Sequence, residues 1–410
     1  MEHYIFYCKL SLLAVLSLIT ACCMLSRRWY VNLAAFLACL SGETFLAHLF
    51  FPGYMLCPAA ASFIILFLSR IWDLSRTPAK GNGADPIRLP VRSGIRESRL
   101  EFHYHYSNFL VYGGAGSGKT KSIGKWLLSE YMRLGFAGFI YDFKDTDYTR
   151  TAYNLIKRHR YPHKFYYVSF DRPERSYRFN PLKVVRDRTE LIQLMEDVLL
   201  ALLPKKEQQN EWVAGGLGIL RGVAFRFWDE FPEHCTLPHI LAFIMTASAR
   251  QLSLFLQQNL VSEMLAGAYL KAEGSEKTQA SYLSTLCNNL ATISQNEEIA
   301  YVLSGDDFDF NLIDPENPKL FAVSNNFSKN SVYAPVISML MTISARQFSM
   351  QNRVPFVYFL DEMTTVNIKN FETLPSVLRE YKAAFILLTQ SGAKLENLYG
   401  KLDRSSVEAN

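Results

Sequence analysis

Residues 113–120 have the types and spacing of a phosphate-binding loop. They match the pattern G-x-x-x-x-G-K-[ST] in full and are Gly113, Gly114, Ala115, Gly116, Ser117, Gly118, Lys119 and Thr120. Glycines at these positions let backbone N–H groups wrap a chain of phosphates at the start of a helix. We expect Lys119 to reach the β- and γ-phosphates and the Thr120 hydroxyl to bind Mg²⁺.

A second motif consists of an apolar run that ends in two acids. Residues 356–360 are all apolar, and Asp361 and Glu362 follow them directly. A run that is apolar on both faces is typical of a central strand in a parallel sheet. We expect Asp361 to hold Mg²⁺, through water, and Glu362 to polarise the attacking water. The alternative is a buried strand that ends in an ordinary acidic turn.

Two further side chains are candidates for the same site. Residues 383–389 form another apolar run, and Gln390 follows it, so its amide is expected beside Glu362 as a sensor of the γ-phosphate. Arg379, in the predicted helix of residues 371–381, is a candidate arginine finger for the nucleotide of a neighbouring subunit. Its alternative role is that of a solvated arginine at a helix end.

The elements around these motifs predict an α/β core. A strand before the glycine-rich loop and helical spacing in residues 121–134 give the loop the context that it requires. Further strands are predicted at residues 137–143, 165–170 and 320–324. Asp142 ends the first of these and is expected to cap a turn rather than touch the site.

More than half of the chain separates Lys119 from Asp361, so a domain must be inserted between them. Helical periodicity dominates from about residue 187 to residue 300, which predicts an all-helical insertion. The predicted organisation is a membrane module at 1–75, a linker and entry to the core at 76–107, the first part of the core at 108–186, the insertion at 187–300, and the second part of the core, with a truncated end, at 301–410.

Three apolar runs precede the core, at residues 4–25, 31–51 and 54–71. Each is long enough to cross a bilayer, which takes about 20 residues in a helix. Arg27, Arg28 and Arg70 flank these runs and place the large C-terminal part in the cytoplasm by the positive-inside rule. Three crossings, or two crossings with one interfacial run, are both compatible with the pattern. Residues 76–98 are rich in Pro, Gly and charge, which is typical of a linker.

Composition excludes several other classes of protein. The chain is 49% apolar and 20% charged, which excludes disorder, and its net charge of +5 does not by itself imply a nucleic-acid partner. Five of its seven cysteines lie in the first 57 residues and none forms a C-x-x-C pair, so neither a disulfide scaffold nor a zinc site is expected.

Basic residues nevertheless cluster between residues 157 and 188. Interleaved tyrosines make this segment a candidate surface for nucleic-acid phosphates and bases, with an ordinary solvated surface as the alternative. The basic residues are Lys157, Arg158, Arg160, Lys164, Arg172, Arg175, Arg178, Lys183, Arg186 and Arg188, and the tyrosines are Tyr161, Tyr166, Tyr167 and Tyr177.

The order of motifs resembles a known family. After the apolar N-terminal part come GGAGSGKT, FIYDFKDTDYTRTAY, YRFNPLK, a helical insertion, VLSGDDFDFNLIDPENPKLFAVSN and VYFLDEMTTVNIKNFETLPSVLREYKAAFILLTQS. This order is similar to that of the type IV coupling proteins of bacterial conjugation, in their TraG/TraD-like form. The resemblance covers nearly the whole chain. Two features depart from the family pattern: three apolar runs rather than two, and an early end after the Gln390 strand.

The resemblance implies a RecA-like P-loop ATPase that assembles as a homo-hexameric ring at the bacterial inner membrane. Such motors use ATP and Mg²⁺ to deliver single-stranded DNA, with its relaxase, to a type IV secretion channel. Lys119, Thr120, Asp361, Glu362 and Gln390 match the family's nucleotide-site positions. By the same resemblance, Arg379 matches an arginine presented across the subunit boundary, and the helical insertion faces the relaxosome. The alternative function is a motor or docking platform of the same fold that recruits protein substrates, with little role for DNA.

Overall fold

The computed structural model describes residues 85–93, 96–144, 146–203 and 210–409, with short stretches between residues 5 and 50. The chain divides into two compact units, Met1–Ala84 and Asp85–Asn410. The predicted membrane module of residues 1–75 falls mostly outside the described residues, so its spans stay a prediction. Within the stretches that are described, no helix combines the length and apolar character needed to cross a membrane.

A six-stranded parallel sheet forms the centre of the larger unit. Its strands lie in the order β3-β8-β7-β4-β6-β5, and every neighbouring pair is parallel. The strands predicted from apolar runs are therefore confirmed. Their bounds are β3 Phe109–Tyr112, β4 Ala137–Asp142, β5 Lys164–Ser169, β6 Lys319–Ser324, β7 Phe356–Leu360 and β8 Ala383–Thr389.

The central strands are buried on both faces because helices cover the sheet on each side. Every residue of β4, β6, β7 and β8 is buried. Gly138 in β4 is required by close packing, since a Cβ atom there would lie 2.9 Å from the carbonyl oxygen of Val357. The helices of the core are α1 Lys125–Arg133, α2 Asp147–His159, α11 Asn330–Arg346, α12 Leu374–Glu380, α13 Gly392–Tyr399 and α14 Lys401–Ala409.

Among the described residues between β5 and β6 there are eight helices, in the region where an all-helical insertion is predicted. One apolar cluster runs from the sheet into these helices without interruption. The longest, α4, packs closely on α7: a Cβ atom at Gly222 would lie 2.9 Å from the Ser262 carbonyl oxygen. The bounds are α3 Arg188–Ala201, α4 Glu211–Glu230, α5 Leu237–Thr246, α6 Ala249–Gln257, α7 Leu260–Leu265, α8 Gly267–Lys271, α9 Glu276–Ser294 and α10 Glu297–Leu303.

The linker prediction is wrong for the second half of residues 76–98. Strands β1 Ile87–Ser93 and β2 Arg96–Phe102 form an antiparallel hairpin there. Ile87 is fully buried in the cluster that also holds α1, and the Arg88 backbone N–H donates to Glu130 Oε2 at 2.9 Å. The hairpin is therefore part of the core.

The helix predicted at residues 371–381 is also shorter than expected. It spans Leu374–Glu380. The residues directly before it form turns instead, in which the backbone N–H groups of Thr373 and Leu374 donate to the carbonyl oxygens of Asn370 and Phe371, each at 3.2 Å.

Candidate nucleotide-binding site

The glycine-rich loop joins β3 to α1 and adopts a conformation that needs its glycines. Gly116 and Gly118 have φ of 76° and 83°, in the left-handed region that side chains disfavour. A Cβ atom at Gly113 would lie 2.5 Å from Ser117 Oγ and 2.6 Å from Lys119 Cγ. Lys119 and the half-buried Thr120 follow at the start of the helical segment. The loop is therefore closed tightly around the stem of Lys119.

The Lys119 side chain connects three segments that are distant in sequence. Its Nζ donates to the carbonyl oxygen of Gly113 at 2.5 Å and to that of Thr389 at 3.0 Å. It also lies 3.3 Å from Glu362 Oε1. These contacts arise because β8 lies between β3 and β7, so the carboxyl ends of all three strands meet at one edge of the sheet.

The two acids after β7 are almost completely buried at this edge. Asp361 is 1% and Glu362 2% exposed. The Asp361 backbone N–H donates to the Tyr141 carbonyl oxygen at 3.0 Å, which ties the end of β7 to β4. Glu362 has φ 45° and ψ 51°, a left-handed conformation that is uncommon for a residue with a side chain. Strain of this kind persists only where surrounding contacts hold it, and it concentrates at functional sites.

The environment of Asp361 suits a cation. Burial raises the pKa of Asp361 to about 7, Lys144 and Lys119 oppose the rise, and Asp142 and Glu362 add to it. Asp361 Oδ2 is buried without a hydrogen-bond partner. Within the described residues, no three acidic, histidine or cysteine side chains cluster closely enough to hold a metal ion alone. A Mg²⁺ ion bound through one carboxylate, a hydroxyl and phosphate oxygens fits this donor set.

Lys144 lies in the site, although the sequence motifs did not predict it there. Its Nζ lies 3.8 Å from Glu362 Oε1, and its side chain is half exposed. Lys144 follows the end of β4 by two residues, so the sheet order alone brings it here. Asp142, which we expected to cap a turn, accepts hydrogen bonds from the Thr149 backbone N–H and hydroxyl at 2.8 and 2.9 Å. A lysine two residues after a strand that ends in an acid is the sequence signal that would have indicated Lys144.

Gln390 and Arg379 occupy different parts of the fold. Gln390 lies at the same edge as Lys119, and its Oε1 accepts a hydrogen bond from Lys394 Nζ at 2.6 Å. Arg379 is exposed in the last turn of α12, and its carbonyl oxygen accepts from the Lys382 backbone N–H just before β8 begins. It therefore lies at the opposite edge of the sheet, away from Lys119 of its own chain.

The basic segment is only partly available as a surface. Lys157, Arg158 and Arg160 are exposed around the end of α2. Tyr161 is buried, and its hydroxyl donates to the Phe136 carbonyl oxygen. Tyr166 stacks on Phe308 at a ring distance of 4.2 Å. These two aromatic rings are packed within the protein, which removes part of the predicted stacking surface.

Comparison with known sequences extends the sequence resemblance. The model of the family described as type IV secretion-system coupling protein DNA-binding domain matches residues 100–410. The chain belongs to this family. The resemblance inferred from the order of motifs is therefore confirmed. A comparison with curated proteins gives no match.

Solved structures of coupling proteins have the same fold. The bacterial conjugative coupling protein TrwBΔN70, in an unbound form, matches with a TM-score of 0.60 at 16% identity, over 83% of this chain and 72% of that chain. The plasmid coupling protein TrwB in complex with ADP and Mg²⁺ gives 0.60 at 16% identity, over 83% and 74%. TrwB in complex with the ATP analogue ADPNP gives 0.59 at 16% identity, over 81% and 80%. At this identity the likeness establishes the fold.

Proposed function

We propose that this coupling protein hydrolyses ATP with Mg²⁺ and delivers single-stranded DNA, with its relaxase, to a type IV secretion channel. Residues 1–75 anchor it in the inner membrane, and the larger unit acts in the cytoplasm as part of a homo-hexamer. The observation that carries the proposal is the contact between Lys119 and Glu362, 3.3 Å apart, at a loop of phosphate-binding geometry. Family membership and the nucleotides bound by TrwB support it.

In the proposed mechanism, Lys119 exchanges its partners when a nucleotide binds. Its present acceptors are two carbonyl oxygens and a carboxylate, and the terminal phosphates of ATP offer stronger charge-assisted hydrogen bonds. Glu362 is then released to orient and polarise the attacking water, while Lys144 stays beside it as a counter-charge. Asp361 and Thr120 would hold Mg²⁺, and the ion would supply positive charge that neutralises the phosphates.

Arg379 fits a role between subunits better than a role in its own chain. It is exposed and lies at the sheet edge opposite the loop. In a ring, one subunit can present this edge to the nucleotide of the next, and an arginine there stabilises the charge that develops on the transferred phosphate. Gln390 lies at the same edge of the sheet as Lys119 of its own chain. Its side-chain amide contacts the γ-phosphate once Lys394 no longer donates to Gln390 Oε1.

The test is the dependence of phosphate release on single-stranded DNA. The full-length protein is expected to release phosphate from ATP faster when single-stranded DNA is added. Glu362→Gln is expected to lose turnover and keep nucleotide binding, whereas Lys119→Ala loses both. Glu276→Gln changes an exposed acid at the start of α9, in the insertion, and is the matched control. Turnover that ignores DNA, or that survives Glu362→Gln, would contradict the proposal.

The insertion offers one observation in favour of the alternative, protein-recruiting function. Leu260 and Met264, one helical turn apart on α7, are 73% and 68% exposed, and Leu254 on α6 is 50% exposed. Exposed apolar side chains of this kind are typical of a protein-binding surface. Replacing all three by serine separates the two functions: protein substrates require them in the alternative, while DNA-stimulated turnover does not.

A further inference from the structure

A chain of hydroxyl and amide groups leads from the buried end of β6 to the half-buried turn that follows Glu362. Asn325 follows β6 and is 3% exposed, and Tyr141 in β4 is 2% exposed. The Asn325 Nδ2 donates to the Tyr141 hydroxyl at 2.9 Å. That hydroxyl lies 2.6 Å from Thr365 Oγ1, and Thr365 Oγ1 donates to the Glu362 carbonyl oxygen at 2.7 Å. None of these three side chains belongs to the nucleotide-binding motifs.

The direction of every hydrogen bond in the chain is fixed. Thr365 has a single hydroxyl proton, and that proton is donated to Glu362. Tyr141 must therefore donate to Thr365, and its oxygen accepts from Asn325. Bonds aligned donor to acceptor in this way polarise and strengthen one another.

Two further contacts close the chain into a ring. The second Nδ2 proton of Asn325 is donated to Asn330 Oδ1 at 2.7 Å, and Asn330 Nδ2 donates to the Thr365 carbonyl oxygen at 3.2 Å. The Thr365 backbone N–H also donates to the Glu362 carbonyl oxygen, at 2.9 Å. The left-handed backbone of Glu362 is thus fastened on its carbonyl side by two bonds from one residue.

We propose that Tyr141, Thr365 and Asn325 are positioning residues that hold Glu362 in the conformation needed for hydrolysis. The proposal rests on the proposed ATP hydrolysis and adds residues to it. Its physical basis is that the ring fixes a strained backbone, and loss of a bond would let Glu362 relax away from the water that it orients. Such a loss lowers the rate of the chemical step and leaves nucleotide binding to the loop and Lys119.

The decisive variant is Tyr141→Phe in the full-length protein, with Tyr358→Phe as its control. Tyr358 is also a fully buried tyrosine of the same sheet, and its hydroxyl contacts Ser344 at 3.0 Å instead of Thr365 or Asn325. We expect Tyr141→Phe to lower kcat about tenfold and to change KM less than about twofold. Tyr358→Phe is expected to keep the wild-type kcat. Equal kcat values for the two variants and the wild type would overturn the proposal.

Thr365 provides a second test that does not depend on the tyrosine ring. Thr365→Val removes the hydroxyl at constant shape, and Thr365→Ser keeps it. We expect a kcat loss of about tenfold for valine, recovery with serine, and little further loss when valine is combined with Tyr141→Phe, because both break one chain. A serine variant as slow as valine, or losses that multiply, would overturn the proposal.

These outcomes separate the inference from the proposed function. If Glu362→Gln abolishes turnover while the Tyr141 and Thr365 variants keep the wild-type kcat, the inference fails and the proposed hydrolysis stands. If the wild-type protein releases no phosphate from ATP, both fail together.

Discussion

Gly124, in the helical segment after the phosphate-binding loop, is expected to tolerate alanine only when a neighbouring hydroxyl is removed. A Cβ atom at Gly124 would lie 2.3 Å from Tyr148 Oη, and 3.0 and 3.1 Å from Cζ and Cε1 of the same ring. The ordinary distance for such a contact is 3.4–4 Å. Tyr148 is fully buried and packs on Phe359 at a ring distance of 4.6 Å, so it cannot swing into solvent.

The magnitude follows from two opposing terms. Overpacking of this kind costs about 1–3 kcal/mol. Gly124 has φ −58°, an ordinary helical value, so alanine introduces no backbone strain and gains about 1 kcal/mol of helix propensity. We therefore expect Gly124→Ala to lower the free energy of unfolding by up to about 2 kcal/mol.

Tyr148→Phe removes the atom that is closest to the added methyl group. In the Tyr148→Phe background, the nearest ring atom lies 3.0 Å from the Cβ atom added at position 124. Gly124→Ala is then expected to change the free energy of unfolding by less than about 0.5 kcal/mol. Urea denaturation of the wild type, both single variants and the double variant, followed by circular dichroism, gives the coupling energy. Additive effects, or stabilisation by Gly124→Ala in the wild-type background, would refute the packing argument.

Two other predictions concern contacts between parts of the protein. If Arg379 acts on a neighbouring subunit, an equal mixture of Lys119→Ala and Arg379→Ala proteins should regain ATP turnover at about a quarter of the subunit interfaces. Each active interface then takes its intact Lys119 from one variant and its intact Arg379 from the other. No recovery of phosphate release after mixing would exclude action between subunits. Asp197 in α3 is 8% exposed and pairs with Arg346 at 2.6 Å and with Lys369 at 2.9 Å. We expect Asp197→Ala to lower the free energy of unfolding by about 2 kcal/mol. Asp306 is exposed and pairs with Lys183 at 2.7 Å, so Asp306→Ala should lower the free energy of unfolding by at most about 0.5 kcal/mol in the same urea titration. Equal losses for the two variants would show that burial of the ion pair is unimportant.

The parts of the site that the sequence predicts are those set by local backbone rules. The loop needs left-handed glycines at fixed positions, and Gly116 and Gly118 have them. Central parallel strands must be apolar on both faces, which is why β4, β6, β7 and β8 were visible as apolar runs. Helical periodicity likewise revealed the insertion, because its helices bury one face against a common core.

The missed features depend on the order of strands and on neighbours in space. Tyr141, Asn325 and Thr365 follow or belong to three different strands, and only the order β7-β4-β6 brings them together. The sequence of the hairpin β1–β2 predicts a linker because it contains a proline and several arginines, although Ile87, Leu89 and Val91 alternate as they would in a strand. The pairing of Lys119 with Glu362 could not be read from either motif alone.

The distances along the chain between the partners of Lys119 set an order of events during synthesis. Thr389 lies 270 residues after Lys119, and Glu362 lies 243 residues after it. At about 5–20 residues per second, a ribosome needs roughly 12 to 54 s to make the intervening polypeptide. A nascent chain therefore carries the loop long before the groups that anchor its lysine exist, and the contacts of Lys119 can all form only after Thr389 has emerged.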